Sequence, residues 1–177
     1  MKRTLAALAL ASIIAAPAYA ALTVGATAPD FTATASLGGE QFEFSLAEAR
    51  AKGPVVIYFY PAAFTPGCTI EANAFAEATD ELAQYDATVI GVSGDDIETL
   101  DRFSVSECLG KFAVAADPDT TVMDMFEVKN PEREGRAQRV SFVIAPDGSI
   151  IFAHSDRDPI AHVNGAKEAV INWAETH

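Results

Sequence analysis

Two side chains of this chain can do sulfur chemistry, Cys68 and Cys108, and their surroundings differ. Cys68 follows residues 60–67, which hold Pro61, Pro66 and Gly67 and therefore form a shaped loop rather than a regular element. From Cys68 onward, Ile70, Ala74, Phe75, Ala78 and Leu82 recur at helical spacing. The thiol thus stands where a loop ends and a helix begins. A thiolate is the reactive form of cysteine; a helix N-terminus or a nearby cation favours it, and apolar burial opposes it. The unpaired N–H groups of the same helix end, at Gly67 and Cys68, can also hold an anion. Thr65, three residues upstream, can turn its hydroxyl toward the sulfur or toward a ligand. The structural alternative is a buried half-cystine with Thr65 serving only as a helix cap. Neither cysteine has zinc-site spacing or a histidine nearby in sequence. His154, His162 and His177 are scattered toward the C-terminus and read as ordinary surface or partly buried residues.

Those groups need a scaffold. Residues 55–59, VVIYF, form a short, wholly apolar run expected of a central strand buried on both faces. Before it, residues 31–36 and 41–44 flank Leu37-Gly38-Gly39-Glu40 as a hairpin, and Ser45 with Glu48 can cap a short helix over residues 46–51. After it, the helix from about Cys68 runs to about Tyr85, and residues 88–92 form a second buried strand. Ile97, Leu100, Ser104 and Cys108 fall on one stripe of a helix ending near Leu109-Gly110. A short strand over 112–115, a short helix near Val122 to Phe126, and a charged loop over 129–139 follow. Residues 140–145 and 149–153 pair around the turn Pro146-Asp147-Gly148, and Asp158-Pro159 opens a last helix. This alternation predicts an α/β domain with a mixed central sheet, helices on both faces and an N-terminal hairpin extension.

The chain has 177 residues and opens MKRTLAALALASIIAAPAYA. Lys2 and Arg3, an apolar run over residues 5–16 and the small-x-small site Ala18-Tyr19-Ala20 have the pattern of a secretory signal peptide. The expectation is cleavage after residue 20, export to a bacterial periplasm or beyond, and no membrane span in the remaining domain, residues 21–177. That domain carries 10 basic against 25 acidic residues, a net charge of −15, which argues against a nucleic-acid partner. An exported, oxidising setting permits a disulfide between the two cysteines.

Pro61-Ala62-Ala63-Phe64-Thr65-Pro66-Gly67-Cys68 resembles the peroxiredoxin active-site signature, in which Pro, Thr and Cys stand as P-x-x-x-T-x-x-C. Val24-Gly25 and Ala28-Pro29-Asp30-Phe31 resemble that family's N-terminal signature. Thr65 to Thr69, with Glu71 and Phe75, is similar to the branch that includes bacterioferritin comigratory protein. The resemblance spans essentially all of residues 21–177. It implies a thioredoxin-like fold and a thiol peroxidase that needs no metal, flavin or haem cofactor.

The resemblance also implies roles. Cys68 would attack a hydroperoxide and become a sulfenic acid. Arg139, opening the strand RVSFVI, matches the family's active-site arginine, with Arg136 as its competitor; Glu71 could orient either. Thr65, Gly67 and Arg139 would hold the substrate oxygens, and Pro61 would shield the sulfenic acid. Cys108 would resolve it as a Cys68–Cys108 disulfide, since Asn73 occupies the position five after Cys68 where other members keep the resolver. An inert core Cys108 is the alternative. A helix-start cysteine and one near the end of the next helix do not begin at disulfide distance, so local unwinding is expected. The reductant would be a thioredoxin-like protein or a small thiol, and the enzyme a monomer or homodimer. Rival readings are a thiol–disulfide oxidoreductase, which lacks its Cys-x-x-Cys here, and an exported domain with a structural bridge.

Overall fold

A computed structural model describes residues 21–177; the signal-peptide expectation falls on residues 1–20, outside the described residues. The chain folds around a seven-stranded mixed sheet of order β2-β1-β5-β4-β3-β6-β7. The expected hairpin is β1 (Thr32–Leu37) and β2 (Glu40–Ser45), antiparallel with Leu37 opposite Glu40. Its two-residue turn, Gly38-Gly39, has φ of 58° and 86°, which glycine supplies without strain. Helix α1 (Leu46–Arg50) follows, with the Ser45 hydroxyl accepting from the Glu48 N–H.

The expected central strand is β3 (Val55–Phe59), buried at every residue. It pairs parallel with β4 (Thr88–Ser93) on one side and antiparallel with β6 (Val140–Ile144) on the other. Its side chains alternate between two apolar layers. Val55, Ile57 and Phe59 join Phe31, Phe44 and Phe126 on one face, beside α1 and α4 (Thr121–Met125). Val56, Tyr58 and Tyr60 join α2 (Pro66–Leu82), α3 (Ile97–Ser106) and α5 (Pro159–Ala174) on the other. Strand β5 (Ala113–Ala116) extends the parallel set beside β4, and β7 (Ile150–Ser155) closes the far edge against β6. Successive parallel crossovers in one direction place α2 and α3 on the same face, as right-handed connections require. Among the described residues no helix is long and apolar enough to cross a membrane.

One sequence expectation changes. Cys108 does not lie on α3, which ends at Ser106. The carbonyl of Phe103 accepts first from the Glu107 N–H at 2.9 Å and then from the Cys108 N–H at 3.2 Å, and the Ser104 carbonyl accepts from Gly110 at 2.9 Å. The ladder widens, and Leu109 (φ 53°) and Gly110 (φ 64°) turn left-handed. Apolar periodicity carried Cys108 onto the stripe; Gly110 and the backbone reversal before it end the helix earlier.

Candidate active site

The N-terminus of α2 is open. Thr65 is its N-cap, extended at φ −78° and ψ 148°, but its side chain makes no capping bond. The Thr65 hydroxyl instead donates to the Ala62 carbonyl at 2.9 Å, so its oxygen keeps lone pairs available. Pro66 has no N–H to satisfy, and its fixed φ suits the first helical position. Cys68 follows in the first turn and is buried. The Thr65 side chain therefore does not act as a cap, and both cysteines are free thiols in this arrangement.

Strand pairing brings the arginine. β3 ends at Phe59 opposite Val140, where β6 begins, so Arg139 lies beside the loop that leaves β3. Its Nη2 donates to Cys68 Sγ at 3.5 Å, and its Nη1 is bonded to Glu71 Oε2. A Cβ on Gly67 would stand 2.9 Å from Arg139 Nη2, so a side chain there would push the guanidinium aside. Arg136 goes elsewhere. It donates to Asp95 Oδ1 at 2.8 Å and to the Pro61 carbonyl at 3.3 Å, while Asp95 Oδ2 accepts from the Ala63 N–H at 2.7 Å and the Ser93 hydroxyl at 2.9 Å. Arg136 and Asp95 thus clamp the loop that carries Pro61 to Thr65, beyond the carboxyl ends of β3 and β4. Tyr58, Phe59 and Tyr60 are fully buried, whereas Phe64 (φ 62°) is half exposed with its ring at 85° to that of Phe103.

Behind Arg139 lies a buried polar chain. Glu71 is fully buried, and burial pushes its carboxyl up to about 8 against the pull of Arg139. Its Oε1 has no hydrogen-bond partner among the described residues and lies 4.0 Å from His162 Nδ1. The His162 Nε2–H donates to the Asp156 carbonyl at 3.0 Å, and Nδ1 then accepts from the Ser141 hydroxyl at 2.9 Å. Burial brings the His162 pKa from 6.5 down to about 4, so the ring is neutral at pH 7 and its approach to Glu71 is no ion pair.

This histidine has a measurable consequence. With a folded pKa below the unfolded one, the unfolded chain binds the extra proton, so stability from His162 is whole above about pH 6.5 and lost as pH falls to about 4. Glu71 acts oppositely: its raised pKa favours the fold below about pH 4.5, and that contribution is gone by about pH 8. His162→Gln isolates the first effect. The stability advantage of wild type over the variant should shrink by about 3 kcal/mol between pH 7 and pH 4. Urea unfolding at both pH values reads it, and a difference that ignores pH rules out a buried neutral ring.

Cys108 shares the apolar layer of Cys68, with Tyr58, Tyr60, Phe103 and Phe112. Burial pushes its thiol well up, and the adjacent Glu107 carboxylate adds to this. Asn73, in the position five after Cys68, donates to the Thr69 carbonyl at 2.8 Å and to Glu107 Oε2 at 3.3 Å, tying α2 to the Cys108 turn. Of the residues singled out from the sequence, the fold brings Cys68, Thr65, Gly67, Pro61, Arg139 and Glu71 together at one end of the sheet. Sequence reading missed Asp95, Ser141 and His162. The signal for His162 was its place four before Ala166 and eight before Val170, on the buried stripe of α5.

Known proteins resemble this chain in sequence and fold. Residues 24–153 match the AhpC/TSA family. Peroxiredoxin Bcp of Escherichia coli strain K12 is 33% identical over 161 residues, covering 88% of this chain and 97% of that protein. The crystal structure of peroxidoxin BcpB from Mycobacterium tuberculosis is similar at a TM-score of 0.77 and 29% identity, covering 84% of this chain and 96% of that one. A Xanthomonas campestris bacterioferritin comigratory protein, studied for alkyl peroxide reduction, is similar at a TM-score of 0.70 and 28% identity, covering 80% and 91%. Fold, motif order and sequence coverage converge, and this chain belongs to the AhpC/TSA family as a peroxiredoxin, a thiol-dependent peroxidase of the bacterioferritin comigratory protein branch.

Proposed function

We propose that Cys68 is the peroxidatic cysteine and that hydrogen peroxide and organic hydroperoxides are its substrates. The observation that carries this reading is the contact of Arg139 with Cys68 Sγ at the uncapped start of α2. The Cys68 thiolate attacks the terminal oxygen of the hydroperoxide, the S–O bond forms, the O–O bond breaks, and the leaving oxygen departs as hydroxide or alkoxide and takes up a proton. Arg139, the Gly67 and Cys68 N–H groups and the Thr65 oxygen align the two substrate oxygens and stabilise charge on the leaving one. Pro61 limits access of a second peroxide to the sulfenic acid. The Arg136–Asp95 clamp holds the loop, and Glu71 aims Arg139.

Cys108 then attacks the sulfenic sulfur. A Cys68–Cys108 disulfide forms, hydroxide leaves as water with the thiol proton, and a thioredoxin-like dithiol or small thiols restore both cysteines. Residues 1–20 act as an export signal, so the working enzyme is a periplasmic protein starting at Ala21. Wild-type protein, pre-reduced and mixed with one equivalent of hydrogen peroxide, tests the first step by stopped flow and mass spectrometry. Cys68 should oxidise far faster than a free thiol; a rate equal to that of a free thiol would sink the reading. N-terminal sequencing of protein from the host's periplasm tests export.

A further inference from the structure

The buried polar chain behind Arg139 ends in an imidazole whose tautomer is set by its neighbours. Before α5, the Asp156 carboxylate accepts from the Asp158 N–H at 2.7 Å, and the Asp158 carboxylate accepts from the Ile160 N–H at 2.9 Å, which fixes the turn. The Asp156 carbonyl lies 3.0 Å from His162 Nε2 and can only accept, so Nε2 carries the ring proton. Nδ1 is left with a lone pair, which the Ser141 hydroxyl meets at 2.9 Å. Ser141 stands two residues after Arg139, one strand period, and pairs with Tyr58 on β3 and with His154 on β7. The His154 ring packs against His162 at 68°, with centroids 4.7 Å apart. Two hydrogen bonds and this contact hold the fully buried ring in one orientation.

The ring therefore shows Glu71 an acceptor, not a donor. Nδ1 lies 4.0 Å from Glu71 Oε1, and Oε1 has no donor among the described residues. The charged and titratable groups around Glu71 are Arg139 at the start of β6, His162 on α5, Tyr58 on β3 and Cys68 three residues earlier on α2. Among the described residues only Arg139 donates to it. A buried carboxyl stripped of its one donor is costly, so Glu71 cannot give up Arg139 cheaply. The opposite tautomer of His162 would carry its N–H on Nδ1 and offer Glu71 a second partner; the Asp156 carbonyl excludes it. Glu71 thus keeps Arg139 Nη1, and the same guanidinium turns Nη2 to Cys68 Sγ. We propose that His162 is a positioning residue of the peroxidase: by withholding a donor from Glu71 it makes Arg139 the sole partner of that carboxyl and so fixes the guanidinium over Cys68. This rests on the peroxidase reading above and extends its machinery to the last helix.

Nitrogen NMR of the wild-type imidazole at neutral pH tests the tautomer and needs no variant. Nε2 should be protonated and Nδ1 bare; a proton on Nδ1 would overturn the proposal. A double-substitution cycle tests the route through Glu71, with the second-order rate of Cys68 oxidation by hydrogen peroxide as its readout. In His162→Gln the side-chain amide can donate where the ring accepts, so Glu71 is shared and Arg139 loosens. The rate should fall about tenfold. In a Glu71→Gln background, which already lacks the carboxylate, the same change should alter the rate by less than about twofold. A purely structural histidine would slow both backgrounds by the same factor, and that result would overturn the proposal, as would a His162→Gln rate equal to that of wild type. Thermal unfolding of each protein checks that the rates compare folded molecules. A wild type whose Cys68 stays unreacted with hydrogen peroxide marks the deeper failure, that of the peroxidase reading itself, whichever tautomer the NMR finds.

Discussion

Cys68→Ser is expected to abolish peroxide reduction, and Arg139→Met to slow oxidation of Cys68 by hydrogen peroxide about 10²–10³-fold. The serine removes the only nucleophile placed at the helix end. The methionine keeps much of the packing volume but removes the cation 3.5 Å from Sγ, and with it the donor proposed for the departing oxygen. It also strips Glu71 of its partner. A fully buried carboxylate left alone costs several kcal/mol, which protonation of Glu71, already favoured by burial, limits. Arg139→Met with Glu71→Gln should therefore regain stability without regaining rate. Arg139→Lys keeps a charge but loses the fork that reaches sulfur and carboxylate together, so its rate should fall between the two. Stopped flow at neutral pH reads all of these, with thermal unfolding beside it. An Arg139→Met rate within about threefold of wild type would deny the guanidinium a catalytic role.

Cys108→Ser is expected to stop the cycle one step later. Wild type exposed to one equivalent of peroxide should lose two hydrogens and gain one internal disulfide. The variant should instead hold a sulfenic acid on Cys68, advance to sulfinic acid in excess peroxide, and fail to turn over with a dithiol reductant. On the resolving role proposed for Cys108, burial accounts for a delay before that step. In the folded arrangement burial and the adjacent Glu107 carboxylate favour the neutral Cys108 thiol, so opening of its turn is expected to precede attack. Such opening is expected to break the Asn73–Glu107 contact and the first bonds of α2, including Thr69 N–H to the Thr65 carbonyl. Amide hydrogen exchange should accordingly quicken near residues 65–73 and 104–112 in the oxidised protein. Absence of a disulfide in wild type would leave Cys108 as a core cysteine and the protein as a one-cysteine peroxidase. A disulfide formed with unchanged exchange would remove the claim of unwinding.

Much of the scaffold was legible because its signals are local. The run over residues 55–59 is apolar at every position because both faces of β3 are covered, and the Gly-Gly turn sets the register of β1 on β2. Pro66 at the first position of α2 and Asp158-Pro159 before α5 mark helix starts through backbone chemistry alone. The misplacement of Cys108 has the same origin. An apolar stripe continues past Ser106 although the helix does not, because a buried turn residue and a buried helical residue leave the same trace.

By itself the sequence determined that one thiol stands at a helix N-terminus behind a proline-stiffened loop, since cap, loop and periodicity are properties of neighbouring residues. It offered two arginines three apart and could not rank them from spacing. The pairing of Phe59 with Val140 ranks them: it puts Arg139 over Cys68 and sends Arg136 to Asp95. The same packing buries Glu71, brings His162 from the last helix to within 4.0 Å of it, and places Cys108 in the layer of Cys68. These are contacts between residues far apart in the chain. Their charge states and reactivity depend on desolvation, which only the closed tertiary structure supplies.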